Sequence, residues 1–227
     1  MAKLGFIVTA GGIGQRMGYE LPKQFIKLCG KPILVHTLER ISKAYPECQI
    51  VVVLPEQWIK TWREICQQYD CIVPHTIVTG GTERFHSVKN GINALSDVKY
   101  IAIHDGVRPI ISSNLIESLV NAVELHGSSV PAIKPVDSMR KIYESGENQP
   151  INRNEYVMIQ TPQVFRSDWL RHAYNCDYSA QFTDDASVVE AAGYKITIVQ
   201  GDRRNIKITT NEDLLIAETF INSEKTK

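Results

Sequence analysis

The 227-residue sequence predicts an α/β fold, a doubly wound and mostly parallel sheet with helices on both faces. Three observations carry this expectation. Short apolar, β-branched runs alternate with segments whose apolar residues recur at helical spacing. The runs are continuous, as expected of strands covered on both faces. A glycine-rich stretch follows the first run at once, at the kind of strand end where open α/β sheets hold ligands.

Residues 4–9 end in glycines and read as the first strand; the glycine-rich and charged sequence that follows argues against a signal peptide. Residues 32–43 place Ile33, Leu34, Leu38 and Ile41 on one helical face, with Pro32 near the helix start. Residues 50–54 are an apolar, largely β-branched run closed by Pro55, a central strand. Residues 56–69 are helical, 76–79 a strand before the Gly80-Gly81 break, and 83–95 helical. Residues 100–103 form a buried strand ending at His104-Asp105-Gly106, followed by a helix over 114–125 and a strand over 129–133. Residues 135–160 break the alternation. Two extended arms, 139–143 and 156–159, joined by a turn over 144–148, predict a hairpin-like β-arm protruding from the sheet. Helices over 167–175 and 184–192, a strand over 195–199 and a helix over 212–221 resume the pattern. Thr183, with Asp184 and Asp185, reads as an N-cap, and Thr210 with Asp213 as an approximate capping box. Residues 1–227 are expected to form a single domain, with a frayed tail over 223–227.

Lys and Arg (25) balance Asp and Glu (25), so bulk charge gives no reason to expect nucleic acid or an anionic membrane as partner. No apolar run approaches the roughly 20 residues that span a bilayer. The five cysteines, Cys29, Cys48, Cys66, Cys71 and Cys176, contain no C-x-x-C pair, so neither a zinc site nor a disulfide framework is indicated. Thiols of this kind fit a reducing, cytoplasmic setting. His36, His75, His86, His126 and His172 read as structural or surface residues; His104 adjoins Asp105 and can orient it.

The loop after the first strand contains Ala10, Gly11, Gly12, Gly14, Arg16 and Met17, then Pro22 and Lys23. Glycines let backbone amides approach an anion. Two common phosphate loops fail. The dinucleotide G-x-G-x-x-G pattern meets Met17 at its last glycine, and no Gly-Lys pair forms a P-loop. What distinguishes this loop is two separated cations, Arg16 and Lys23, able to neutralise a triphosphate from two sides.

This head resembles that of the cytidylyltransferases of the isoprenoid pathway, which join 2-C-methyl-D-erythritol 4-phosphate to CTP. The resemblance continues through Gly80-Gly81-Thr82-Glu83-Arg84 with Ser87, His104-Asp105-Gly106-Val107-Arg108-Pro109, Asn152-Arg153, Thr161-Pro162-Gln163, Thr183-Asp184-Asp185-Ala186 and Asn205-Ile206-Lys207-Ile208-Thr209. It implies a Rossmann-like nucleotidyltransferase fold. It also implies that Ala10, Gly11, Gly12, Gly14, Gly81, Thr82 and Ser87 bind the nucleotide, and that Arg16 and Lys23 hold the phosphates that depart. Lys207 would act on the transferring α-phosphate, and Asp105 would bind the nucleotide through Mg²⁺ or another divalent cation. The family assigns the polyol phosphate to Arg108, Ser138, Arg153, Thr161 and Thr183. The 135–160 arm would interlock two subunits into a homodimer with shared sites.

Such a reaction needs positioning and charge neutralisation rather than a strong base, because the attacking phosphate is already an anion. Two details are similar to the related ribitol 5-phosphate cytidylyltransferases: Gly11, where the isoprenoid enzymes usually carry Ala, and Thr82, where many carry Asp. Residues 135–139, 183–187 and 191–193 favour the isoprenoid branch, although Pro135-Val136-Asp137-Ser138 is one residue shorter than that branch's usual motif. A sugar-1-phosphate nucleotidyltransferase using UTP or GTP, and a non-catalytic nucleotide-binding module, are the remaining alternatives.

Overall fold

The computed structural model describes residues 3–12 and 21–225. In chain order, β1 (Leu4–Thr9) leads through a 3₁₀ turn (Lys23–Phe25) to a small hairpin, β2 (Lys27–Leu28) and β3 (Lys31–Pro32). Then come α1 (Ile33–Ala44), β4 (Gln49–Leu54), α2 (Glu56–Gln68), β5 (Thr76–Thr79), α3 (Arg84–Ala94), β6 (Tyr100–Asp105), α4 (Ser113–His126) and β7 (Ser128–Ile133). The remainder is β8 (Met139–Ile142), β9 (Asn148–Ile151), β10 (Met158–Ile159), β11 (Gln163–Arg166), α5 (Ser167–Ala173), α6 (Asp185–Ala191), β12 (Ile198–Gln200) and α7 (Asn211–Lys225).

The main sheet runs β5–β4–β1–β6–β11–β7, with β10 and β12 also paired to β7. β1, β4, β5 and β6 are parallel. β11 lies antiparallel between β6 and β7. The central strands are buried on both faces, and their side chains alternate between two cores. Phe6, Val8, Ile50, Val52, Tyr100 and Ala102 pack with α1, α2 and α4. Ile7, Val51, Val53, Ile101 and Ile103 pack on the other face with α3, α5 and α6. A third cluster ties Ala217 and Ile221 of α7 to Leu28, Ile33 and Ile208.

Helix ends follow local chemistry. The Ser112 hydroxyl accepts the Leu115 amide to start α4, and Gly127 ends it at φ 83°. A Cβ at Gly127 would lie 2.3 Å from the Trp169 ring, so space as well as backbone angle selects glycine there. Asp213 accepts the amides of Thr209 and Thr210 while the Thr210 hydroxyl accepts the Asp213 amide, so the expected capping box forms.

Three expectations need correction. The arm's hairpin pairs β8 with β9, whereas residues 158–159 return to the main sheet as β10. A tight turn lets 139–142 find its partner locally; the exposed apolar pattern at 156–159 marks a strand with a different neighbour. The helix near 184 is capped by Asp184, not Thr183: its carboxylate accepts the Ser187 amide at 2.9 Å and the Ser187 hydroxyl accepts the Asp184 amide. β11 lies in a stretch for which the sequence pattern predicted no strand, because it is four residues long and paired only with distant partners.

Candidate active site

The carboxyl ends of the parallel strands open into a cavity of about 350 Å³. Thr9 and Ala10 at the end of β1, Val53 to Pro55 at the end of β4, Gly80 and Gly81 after β5, and Asp105 at the end of β6 form its floor and walls. This is the crevice in which open α/β sheets bind ligands. Of the expected nucleotide residues, Ala10, Gly11, Gly12, Gly81, Thr82, Ser87 and Asp105 line it, as do Lys23 and Lys207. Gly14 and Arg16 lie outside the described residues.

Local packing explains several of these positions. The Ala10 amide donates to the Val53 carbonyl, and its carbonyl accepts the buried Gln24 amide at 2.6 Å. The 3₁₀ turn thus anchors the loop entry while presenting Lys23, and Phe25 of the same turn stacks on Trp62 at 5.9 Å. A Cβ at Gly12 would stand 3.3 Å from Cε of Lys23, so the lysine stem lies along that glycine. A Cβ at Gly81 would meet the Cβ of His86 at 2.3 Å, which excludes any side chain. The Gly81 amide donates to the Ser87 hydroxyl, and Thr82 pairs with His86. Gly11 is different: a Cβ there meets nothing within 4 Å among the described residues.

A second cavity, about 340 Å³, adjoins the first and shares Arg84, Asp105 and Lys207 with it. It holds three of the five residues expected at the polyol phosphate: Arg108, Thr161 and Thr183. Ser138 and Arg153 line neither cavity. Both are exposed on the 135–160 segment, where the Arg153 guanidinium donates to the Val136 carbonyl.

Asp105 sits between the two cavities. Its Oδ2 accepts Arg108 at 3.1 Å and Lys207 at 3.2 Å. Burial alone would push its carboxyl upward, but the neighbouring Lys207, Arg108 and Arg84 charges hold it well below the usual carboxylate range. Oδ1 has no hydrogen bond among the described residues. Beneath Asp105, the Thr161 hydroxyl accepts the Asp105 amide and pairs with Nδ1 of His104. Nε2 of His104 faces the Arg108 carbonyl at 3.2 Å, and a carbonyl only accepts. Nε2 therefore carries the proton and Nδ1 accepts from Thr161. His104 thus orients the strand end, as its position beside Asp105 indicated. Arg108 also donates to the Asn205 carbonyl, and the Asn205 amide donates to the Thr161 carbonyl.

Gln24, Asn205 and Arg84 were not singled out by sequence reasoning. Arg84 is held by two hydrogen bonds, at 2.8 and 2.6 Å, to the fully buried Asp185, which also accepts the Tyr174 hydroxyl. The resemblance spanned both segments; only the pairing of residues about a hundred positions apart reveals the contact.

The model of the family described as 2-C-methyl-D-erythritol 4-phosphate cytidylyltransferase (IspD) matches residues 4–223. The chain belongs to that family. It is 43% identical over 215 residues to the protein of that name from Bacteroides fragilis, covering 95% of this chain and 98% of that one. It is 44% identical over 218 residues to the one from Azobacteroides pseudotrichonymphae, covering 95% and 97%. A solved 4-diphosphocytidyl-2C-methyl-D-erythritol synthase from Anaerococcus prevotii superposes with a TM-score of 0.81 at 29% identity, covering 96% of both chains. The family membership agrees with the α/β architecture and with a cavity at the carboxyl ends of the strands.

Burial holds the His104 imidazole down at about 4. Unfolding returns it to about 6.5, so the unfolded chain binds the extra proton between those values. Stability therefore falls as pH drops from about 6.5 to about 4, by up to about 1.4 kcal/mol per pH unit from this group. His36, also lowered by burial, adds slope in the same direction. Urea titrations across this range should show a flatter dependence for His104→Gln than for the parent; parallel curves would count against a neutral buried His104.

Proposed function

We propose that the chain transfers the cytidylyl group of CTP to 2-C-methyl-D-erythritol 4-phosphate, giving 4-diphosphocytidyl-2-C-methyl-D-erythritol and pyrophosphate in non-mevalonate isoprenoid biosynthesis. The observation that carries this reading, in a chain of this family, is the pair of adjoining cavities with Asp105 and Lys207 in their shared wall. A two-substrate transfer needs such a junction: the nucleotide on one side, the acceptor on the other, and cationic groups where they meet.

CTP occupies the strand-end cavity. Ala10, Gly11, Gly81 and Ser87 offer short polar contacts to its nucleoside, and Gly12 lines the same cavity. The polyol phosphate enters the second cavity beside Arg108, Thr161 and Thr183. Its phosphate oxygen attacks the α-phosphorus, a new P–O bond forms, and the bond to the β-phosphate breaks. Lys207 stands at the junction and neutralises the charge that gathers on the α-phosphate. Lys23 and Arg16 neutralise the departing pyrophosphate.

The residues present fit a divalent cation. Asp105 is kept ionised and leaves Oδ1 without a hydrogen bond among the described residues, and Mg²⁺ characteristically takes one or two carboxylates plus substrate phosphate oxygens. Asp105 is the residue that would hold it, and the ion would supply charge neutralisation of the triphosphate.

Ser138 and Arg153 reach a site through a second subunit. Val136, Ile142, Tyr143, Tyr156, Val157 and Met158 leave apolar surface exposed along their segment, as an intersubunit arm does. The chain is a homodimer in which each arm completes its partner's acceptor cavity.

Pyrophosphate release with CTP, Mg²⁺ and either polyol phosphate tests the reaction. Turnover with 2-C-methyl-D-erythritol 4-phosphate is expected; turnover with ribitol 5-phosphate alone, or equal use of UTP and GTP, would overturn the assignment. Lys207→Ala should lower kcat on the order of 10²-fold or more with an intact fold, since it removes stabilisation of the transferring group. Unchanged kcat would remove Lys207 from the chemistry. Arg153→Ala and Lys23→Ala chains should each be inactive, yet a mixture allowed to exchange subunits should recover about a quarter of the parental rate, since half the dimers are mixed and each has one complete site. No recovery would place both residues in a site made by one chain.

A further inference from the structure

The end of α2 carries a feature that cytidylyl transfer does not use. Asp70 has φ 48°, the Cys71 amide donates to the Cys66 carbonyl at 2.9 Å, and the Asp70 amide donates to the Gln67 carbonyl at 3.4 Å. These two bonds around one left-handed residue define a Schellman helix end, whose geometry brings the third residue from the end against the second residue beyond it. In this chain both residues are cysteines. Their thiols adjoin closely enough to shift one another, and both side chains are half-buried against the core.

We propose that Cys66 and Cys71 form a redox-active dithiol that converts reversibly to a disulfide by exchange with a low-molecular-weight disulfide such as glutathione disulfide. Cys71 is the attacking group. The neighbouring Cys66 thiol lowers it to about 7 against the opposing effect of burial, while Cys66 is itself raised. Lys31, paired with Glu39, and the Val73 backbone also face it. The partial negative charge at the helix end opposes the thiolate. The Cys71 thiolate attacks one sulfur of the glutathione disulfide, forming a mixed disulfide and releasing one glutathione thiolate. Cys66 loses its proton and attacks the Cys71 sulfur, forming the Cys66–Cys71 bond and releasing the second glutathione. The protein dithiol is oxidised by two electrons and the glutathione disulfide is reduced to two thiols.

Among the other cysteines, burial raises Cys48 to about 11, and Cys176 is exposed. The pair also stands apart from the transfer chemistry. Neither cysteine lines the two cavities, and α2 carries the chain roughly 16 Å along its axis from Pro55, at the cavity wall, to Cys66, at 1.5 Å per residue.

The full chain, reduced and then incubated with glutathione disulfide, is digested after acid quench and its peptides are weighed. The expected product is a peptide holding Cys66 and Cys71 that has lost two hydrogens and regains them with dithiothreitol. Cys66→Ser should instead trap glutathione on Cys71, and Cys71→Ser should leave Cys66 unmodified. Tryptophan emission reports whether each variant is folded; the parent chain gives the primary result in any case. A parent chain that stays reduced at both positions while Cys176 takes up glutathione would overturn the proposal, as would equal adduct formation at Cys66 in the absence of Cys71.

Discussion

A carboxylate sunk at the end of a buried strand is tolerable only where cations and hydrogen bonds surround it, and Asp105 makes that demand on the whole site. Arg108 answers from the next turn and Lys207 from a distant segment. The demand then spreads. Arg108 holds the Asn205 carbonyl, Asn205 holds the Thr161 carbonyl, and the Thr161 hydroxyl joins His104 to the Asp105 amide. The Ile208 amide closes on the Val107 carbonyl at 2.9 Å. Three segments separated by many tens of residues are thereby locked around one charge. α7 secures the outer side, with Glu224 accepting both Arg40 and Arg204.

Much of this was legible in the sequence because it is written in local pattern. The runs that became β1, β4 and β6 need no partner to be read: continuous apolar residues bounded by glycine or proline describe a strand buried on both faces. Thr210 with Asp213 is equally local. What stayed hidden depends on pairing at long range. β11 is four residues placed between β6 and β7, and β9 pairs through a turn whose strands are exposed and polar. The grip of Gln24 on Ala10 and of Arg84 on Asp185 follows from the fold, not from spacing. The candidate site was legible as an ordered set of short motifs. Its division into two cavities was not, since the motifs carry no information on which wall each residue faces.

That division has an energetic meaning. Arg84, Lys207 and Asp105 belong to both cavities, so a negative charge arriving in either one meets the same cations. Arg84 is less free to follow a ligand than Lys207, because Asp185, itself held by the Tyr174 hydroxyl, grips its guanidinium through two hydrogen bonds whereas Lys207 is nearly half exposed. One fixed and one adjustable cation flank the junction.

The strand ladder also acts as a ruler. Thr9 is registered opposite Asp105 on one side and Val53 on the other, and Leu54 opposite Thr79. Each neighbour is offset by one strand spacing, about 4.8 Å. The loop mouth, the Asp105 carboxylate and the Gly80-Gly81 turn are thus set in steps of a rigid lattice rather than by the length of any side chain. A point substitution can change the charge or volume at one mark on this ruler, but the marks themselves move only if the sheet re-registers. Any drift toward a ligand of different span must therefore be carried by the loops between the strands.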